Sequence, residues 1–166
     1  RYADAARDAL DFVERDLTHE AGGFFSTLDA RSPYEGQRVE GAYYVWTPDD
    51  VRDAIGEDTD ADLFAARYGV TDAGNFEPEQ AVEGSTESWT VLTESASVPD
   101  LAAEFDLPEG EVEERLARAT EQAQDYRAAR PTPNRDEKVL AGWNGLMVSA
   151  FAEAGLALDE RYSEVA

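Results

Sequence analysis

Three apolar stripes at helical spacing constrain this chain more than any other feature of it. Tyr2, Ala6, Ala9, Leu10, Val13 and Leu17 recur every three or four residues, as do Val112, Leu116, Ala119, Ala123 and Tyr126. Trp143, Leu146, Met147, Ala150, Phe151, Ala154 and Leu158 form a third and wider set. Each set falls on one face of an α-helix and asks for a partner surface. The first helix is expected to stop near Thr18–Glu20, ahead of Gly22-Gly23. The second opens at Pro108 and breaks at Arg130-Pro131-Thr132-Pro133, where proline removes a donor and disfavours helix before it. The third starts near Val139.

The long stretches between these helices carry signals of their own. Phe24-Phe25-Ser26 and Ala42-Tyr43-Tyr44-Val45-Trp46 are aromatic and β-prone, with Pro33, Gly36 and Gly41 between or beside them. They predict two short strands in an irregular hairpin. Thr47-Pro48-Asp49-Asp50 is a helix start, with a capping hydroxyl, proline at the first helical position and acids at the positive helix end. That helix ends at Gly56. Another is expected from about Asp60 to Tyr68, stopping at Gly69, and a further one over Pro99–Phe105. Residues 77–87 predict loop, and Ser88–Thr93 a short strand. The fold class expected is mainly α with short β-hairpin excursions, as one partial domain over residues 1–166. Excursions this long often carry function.

Composition excludes several functions. The formal net charge is −23, from 37 acidic and 14 basic residues, and Lys138 is the one lysine among them. The acids are spread along the chain, so they describe a solvated surface rather than an acidic tail. Self-repulsion of this size destabilises a compact state, and 1 M salt screens it to within ~3 Å. Acidic excess with almost no lysine is the expectation for a halophilic protein. Nucleic-acid binding requires basic residues against phosphates, and no basic stripe exists. No apolar run approaches the ~20 residues that cross a bilayer, and no signal peptide is visible, so no membrane role and a cytoplasmic location are expected. Arg1 opens directly into a helical pattern, which places the expected N-terminus upstream. The chain has no cysteine and one histidine, His19. This removes thiol chemistry and two-histidine sites within it, and no cofactor is expected. Asp58, Asp60 and Asp62 match only the start of a calcium loop, without its glycine and final glutamate.

Three runs, taken together, carry a family resemblance: Gly22-Gly23-Phe24-Phe25-Ser26-Thr27-Leu28-Asp29-Ala30, Gly41-Ala42-Tyr43-Tyr44-Val45-Trp46-Thr47, and Asp136-Glu137-Lys138-Val139-Leu140-Ala141-Gly142-Trp143-Asn144-Gly145-Leu146-Met147. Their order and spacing resemble the thioredoxin-domain-containing, spermatogenesis-associated family, over roughly residues 2 to 158. Tyr68-Gly69-Val70 and Gly74-Asn75-Phe76-Glu77 fit the same pattern. The resemblance implies an upstream thioredoxin-like domain and an α/α toroid similar to the six-hairpin glycosidases and N-acylglucosamine epimerases, of which this chain would be a middle part. Two positions depart from the pattern: Asp136-Glu137 stands where two aspartates are usual, and Pro131-Thr132-Pro133-Asn134 lacks a histidine. Epimerase chemistry built on histidines is therefore not supported.

Within that frame Asp29 and Asp136 are the candidate catalytic carboxylates. Glycosidases need such a pair, ~5–5.5 Å apart when retaining and ~6.5–9.5 Å apart when inverting. Asp29 can equally be a turn residue, and Asp136 or Glu137 can pair with Lys138 or cap the next helix. Tyr44 and Trp46 are candidates for stacking on a sugar ring, or for core packing. Strand alternation would put those two on one face and Tyr43 on the other. Lys138 is either a substrate-binding cation or half of a local ion pair. Trp143 belongs with the core stripe, while Asn144 lies off it and can offer a pocket both donor and acceptor. His19 suits the negative end of the first helix. Two functions stay open: a carbohydrate-active or sugar-binding toroid, with a carboxylate-dependent hydrolase or isomerase as its catalytic form, or a non-catalytic scaffold for the thioredoxin-like domain. The expected partners are accordingly a carbohydrate or other small molecule and that upstream domain. The charge itself yields one prediction. Refolding yield should rise from dilute buffer to molar KCl; full stability at low salt would sink the halophilic reading.

Overall fold

The computed structural model describes residues 2–56, 58–77 and 88–166. The chain forms two compact units. The first joins residues 1–29 to residues 134–166, and the second is the stretch 30–133 between them.

The first unit opens with α1 (Tyr2–Phe12), whose last turn widens into a π-helical turn over Val13–Leu17. The chain then folds back. The Phe25 N–H donates to Leu17 O (2.7 Å) and the His19 N–H to Gly23 O (2.9 Å). Gly22 and Gly23 hold φ of 92° and 85° in this turn, a region that favours glycine. Two short strands follow the turn and open the return of the chain: β1 (Thr27–Leu28) pairs antiparallel with β4 (Arg135–Asp136). The unit closes with α6 (Ala141–Ala157) and α7 (Arg161–Val165). Its core joins Leu10, Val13, Leu17 and Phe24 to Phe151, Ala154 and Tyr162. The rings of Phe24 and Phe151 stack at 5.3 Å. Tyr162 is fully buried and donates its hydroxyl to Asp11 Oδ1 (2.9 Å). Arg161 binds both Asp11 and Glu14 beside it, which locks α7 to α1. α6 and α7 approach closely at Gly155, where a β-carbon would lie 2.9 Å from the Ser163 backbone nitrogen.

The second unit begins with a hairpin, β2 (Arg31–Tyr34) and β3 (Gln37–Glu40), with Ser32 opposite Val39. Four helices follow: α2 (Pro48–Ile55), α3 (Thr59–Tyr68), α4 (Val98–Phe105) and α5 (Glu109–Ala128). α2 and α4 both start with capping boxes, Thr47 with Asp50 and Ser97 with Asp100. In each, hydroxyl and carboxylate satisfy the otherwise unpaired first amides. α5 presents its stripe inward, with Val112 and Ala119 fully buried and Leu116 and Ala123 nearly so. One side packs Leu63, Leu101, Val112 and Leu116 together, and the other packs Trp46, Val51, Ile55 and Phe64 against Ala119 and Ala123. The two alanines leave room for the aromatic rings. Asp60 is buried on α3 and accepts from Arg115 (2.8 Å) and Arg118 (2.7 Å) of α5.

The mainly helical reading with short antiparallel strand pairs holds, and the helix starts and stops fall close to where the residues placed them. The hairpin does not lie where it was expected. Phe24 makes only a single bridge to Thr18, and Trp46 a single bridge to Thr90. Gly41–Tyr44 is a turn, closed by the Tyr44 N–H on Gly41 O (2.7 Å). The strands form instead in the polar stretch, because Glu35 and Gly36 (φ 46° and 78°) make the two-residue turn that matches strand twist. The aromatic run serves as filling rather than as ladder. The expected loop over 77–87 lies outside the described residues except for Glu77.

Asp60 yields a pH prediction. Burial pushes its carboxyl up, but hydrogen bonds and charge from Arg115 and Arg118 outweigh this and hold it below the ordinary aspartate value. A depressed value in the folded state means the stabilisation is complete above about pH 4 and is lost as pH falls through the lower folded value. Asp60→Asn should cost about 1–3 kcal/mol at pH 7. Chemical unfolding of both proteins should show that difference shrinking below pH 4; a pH-independent difference would remove the ion pair from the account.

Candidate functional site

Asp29 and Asp136 fall in the same unit and on the same short ladder. β1 and β4 pair Thr27 with Asp136 and Leu28 with Arg135. The register continues one step, with the Asp29 N–H donating to Asn134 O at 2.7 Å. Asp29 and Asp136 are thus diagonal neighbours on one face of an antiparallel pair, a relation that spaces positions about 7–8 Å apart. Asp29 is exposed and Asp136 half-buried.

Asp136 is tightly held. Lys138 Nζ lies 2.8 Å from its Oδ2, and the Lys138 backbone N–H donates to Oδ1 (3.3 Å). The hydrogen bond from Lys138 is the largest of the influences that keep the Asp136 carboxyl below the ordinary range. An aspartate so held is ionised at neutral pH, which suits a base, a nucleophile or a ligand acceptor rather than a proton donor. Lys138 itself is well exposed, so the pair resembles a surface ion pair, which contributes little to stability.

Asn144 is fully engaged within the unit. Its Oδ1 accepts from the Phe24 N–H (2.7 Å), and its Nδ2 donates to Phe24 O (3.0 Å) and Leu140 O (3.1 Å). It ties the glycine turn to the start of α6, and Gly23 is needed there because a β-carbon would sit 3.1 Å from Asn144 Oδ1. The neighbouring Trp143 is 56% exposed and Leu146 73% exposed, so the wide stripe of α6 is covered on one side alone, at Phe151 and Ala154. His19 accepts at Nδ1 from the Ala21 N–H (2.9 Å) and meets the Phe25 ring edge-on.

The other two sequence candidates belong to the second unit. Trp46 is 1% exposed and lies among Phe64, Val51 and Tyr126, so core packing is the role it has here. Tyr44 is 42% exposed and meets Tyr43 edge-on at 5.0 Å. The two-face alternation of these aromatics does not arise, because the run is a turn.

Sequence reasoning missed a cleft of this unit, of about 340 Å³. Tyr34, Tyr43, Trp89 and Tyr126 give it aromatic walls, Ser32 and Thr47 hydroxyls, and Asp49, Asp50 and Asp53 carboxylates. Arg130 frames it. Its Nη1 donates to Val45 O (2.6 Å) and Tyr43 O (3.3 Å), and its Nη2 lies 3.1 Å from Asp50 Oδ1, out of line for a hydrogen bond. The guanidinium covers the Trp46 ring at 4.6 Å and the Tyr126 ring at 5.3 Å. Tyr126 donates to Asp50 Oδ1 (3.3 Å); burial and the neighbouring Asp50 raise its phenol above the ordinary value, so it stays protonated. The available signal was an arginine directly before Pro131, at the end of a helix whose stripe includes Tyr126. In the sequence, Asp49 and Asp50 signal only a helix start.

Asp58, Asp60 and Asp62 are a helix cap, a buried ion-pair centre and a surface acid, and no group of three or more metal-ligating side chains occurs among the described residues. No described helix is long and apolar enough to cross a membrane. The engagement of Asn144 yields a prediction. Asn144→Asp removes both amide donations and sets a charge against two carbonyls, so thermal unfolding should report a loss of about 1–3 kcal/mol. An unchanged midpoint would free Asn144 for a role in binding.

No family model matches the chain. Human spermatogenesis-associated protein 20 is 41% identical over 96% of this chain, and the mouse and rat proteins of that name are 39% and 38% identical over 95% of it. The chain spans 22% of the human protein and 21% of each rodent protein. It is therefore homologous, along nearly its whole length, to about a fifth of spermatogenesis-associated protein 20.

Proposed function

We propose that the chain is a carbohydrate-recognising segment of an α/α toroid within a larger, halophilic, cytoplasmic protein that also carries a thioredoxin-like domain. The observation that carries the sugar reading is the cleft of the second unit. Aromatic rings beside carboxylates and hydroxyls are what a sugar asks of its site, since its C–H faces stack and its hydroxyls need acceptors and donors. The exposed ring of Tyr44 extends the aromatic surface next to Tyr43.

A second, catalytic proposal concerns the first unit alone: Asp29 and Asp136 as the carboxylate pair of a hydrolase or isomerase, with Lys138 holding Asp136 ionised. Their shared ladder face supports it. The competing reading is a non-catalytic scaffold for the thioredoxin-like domain, and the uncovered Trp143 and Leu146 on α6 favour it. Binding of a sugar library to the full-length protein in molar KCl separates the two. The carbohydrate reading expects at least one saccharide to bind, and the catalytic proposal expects Asp136→Asn to abolish any turnover. Absence of binding across the library would leave the scaffold.

A further inference from the structure

The charge state of the ligand follows from how the cleft uses its one cation. Arg130 is the sole basic residue among the described residues that line it. Its Nη1 hydrogens go to the Val45 and Tyr43 carbonyls, and its plane covers Trp46. Its Nη2 lies 3.1 Å from Asp50 without a hydrogen bond and is buried from the cleft. With the side chain 15% exposed and Nη2 buried, it presents no accessible fork to a phosphate or a second carboxylate. Redirecting it would leave two backbone carbonyls and Asp50 without their partner.

The remaining charges on the cleft are negative. Asp49 is paired with Arg52 and Asp50 with Arg130, but Asp53 makes no hydrogen bond or ion pair with any described residue. Residues 78–87, which lie outside the described structure, contain no lysine or arginine in sequence. In molar salt, long-range repulsion is screened within ~3 Å, so the deciding term is direct contact. An anionic group would enter without a cation to meet it and would lose its hydration.

Resting on the sugar reading above, we infer that the cleft selects uncharged saccharides and excludes sugar phosphates and uronates. Selectivity arises because the one arginine among the described lining residues is a structural clamp and the unpaired charge among them is a carboxylate.

Isothermal titration of the full-length protein in molar KCl, with neutral saccharides and their phosphorylated and uronate counterparts, tests this. The neutral ligands should bind at least about tenfold more tightly, the scale of one charge-assisted contact. Asp53→Arg, which adds a free guanidinium at the cleft, should raise phosphate binding by about tenfold, while Asp53→Asn adds no cation and should not. Equal or tighter binding of the phosphorylated sugars by the natural protein would overturn the inference and leave the sugar reading standing. If no saccharide of any charge binds, the sugar reading falls and this inference falls with it.

Discussion

The first unit exists because two residues of β1 meet two residues of β4. Everything from residue 30 to residue 133 separates these strands in sequence, yet the hydrogen bond from Asp29 to Asn134 returns the chain to within a few ångströms of where it left. Loop-closure entropy grows only with the logarithm of length, so this separation costs little more than a much shorter one. What it requires is compensation on the first unit's side. α1, its π-helical extension, the glycine turn and α6 provide it by burying Leu10, Val13, Phe24 and Phe151 together, with Tyr162 sealing the end. Asn144 then carries the closure to the glycine turn, and the sequence runs that support the family resemblance, Gly22–Ala30 and Asp136–Met147, are the two sides of that joint.

Arg130 has the corresponding role in the second unit. It follows the last turn of α5 and grips the turn that leads into α2, through carbonyls, a carboxylate and two rings at once. A guanidinium suits this position because it is planar, weakly hydrated and permanently charged; an ammonium could not stack and fork together. The same clamp shapes the cleft, and the inferred preference for uncharged ligands rests on it.

The abundance of carboxylates makes function harder to read from this surface. With 37 acids, nearly any concavity will contain some. The informative ones are those held in place: Asp60 by two arginines, Asp50 by its capping box and Arg130, and Asp136 by Lys138. The first two shape the second unit. Asp136 is the one of these that stands on a ladder beside another candidate carboxylate.

Periodicity and end signals determined the helices. The stripes of α1, α5 and α6 and the caps at Thr47, Gly56, Gly69 and Pro108 are local properties, set by side-chain spacing and by which residues satisfy helix ends. The motif runs likewise pointed to the homologous proteins. The sequence could not place the hairpin, because a two-residue turn at Glu35-Gly36 outweighed the β-propensity of the flanking aromatics. It also could not separate Tyr44 from Trp46, or free polar groups from engaged ones. The packing of Trp46 against Tyr126, the two bonds from Asn144 to Phe24 and the grip of Arg130 on Val45 join residues 80 to 120 positions apart in the chain. Only tertiary packing brings such residues together, since no local pattern records which distant carbonyl or ring a side chain will meet.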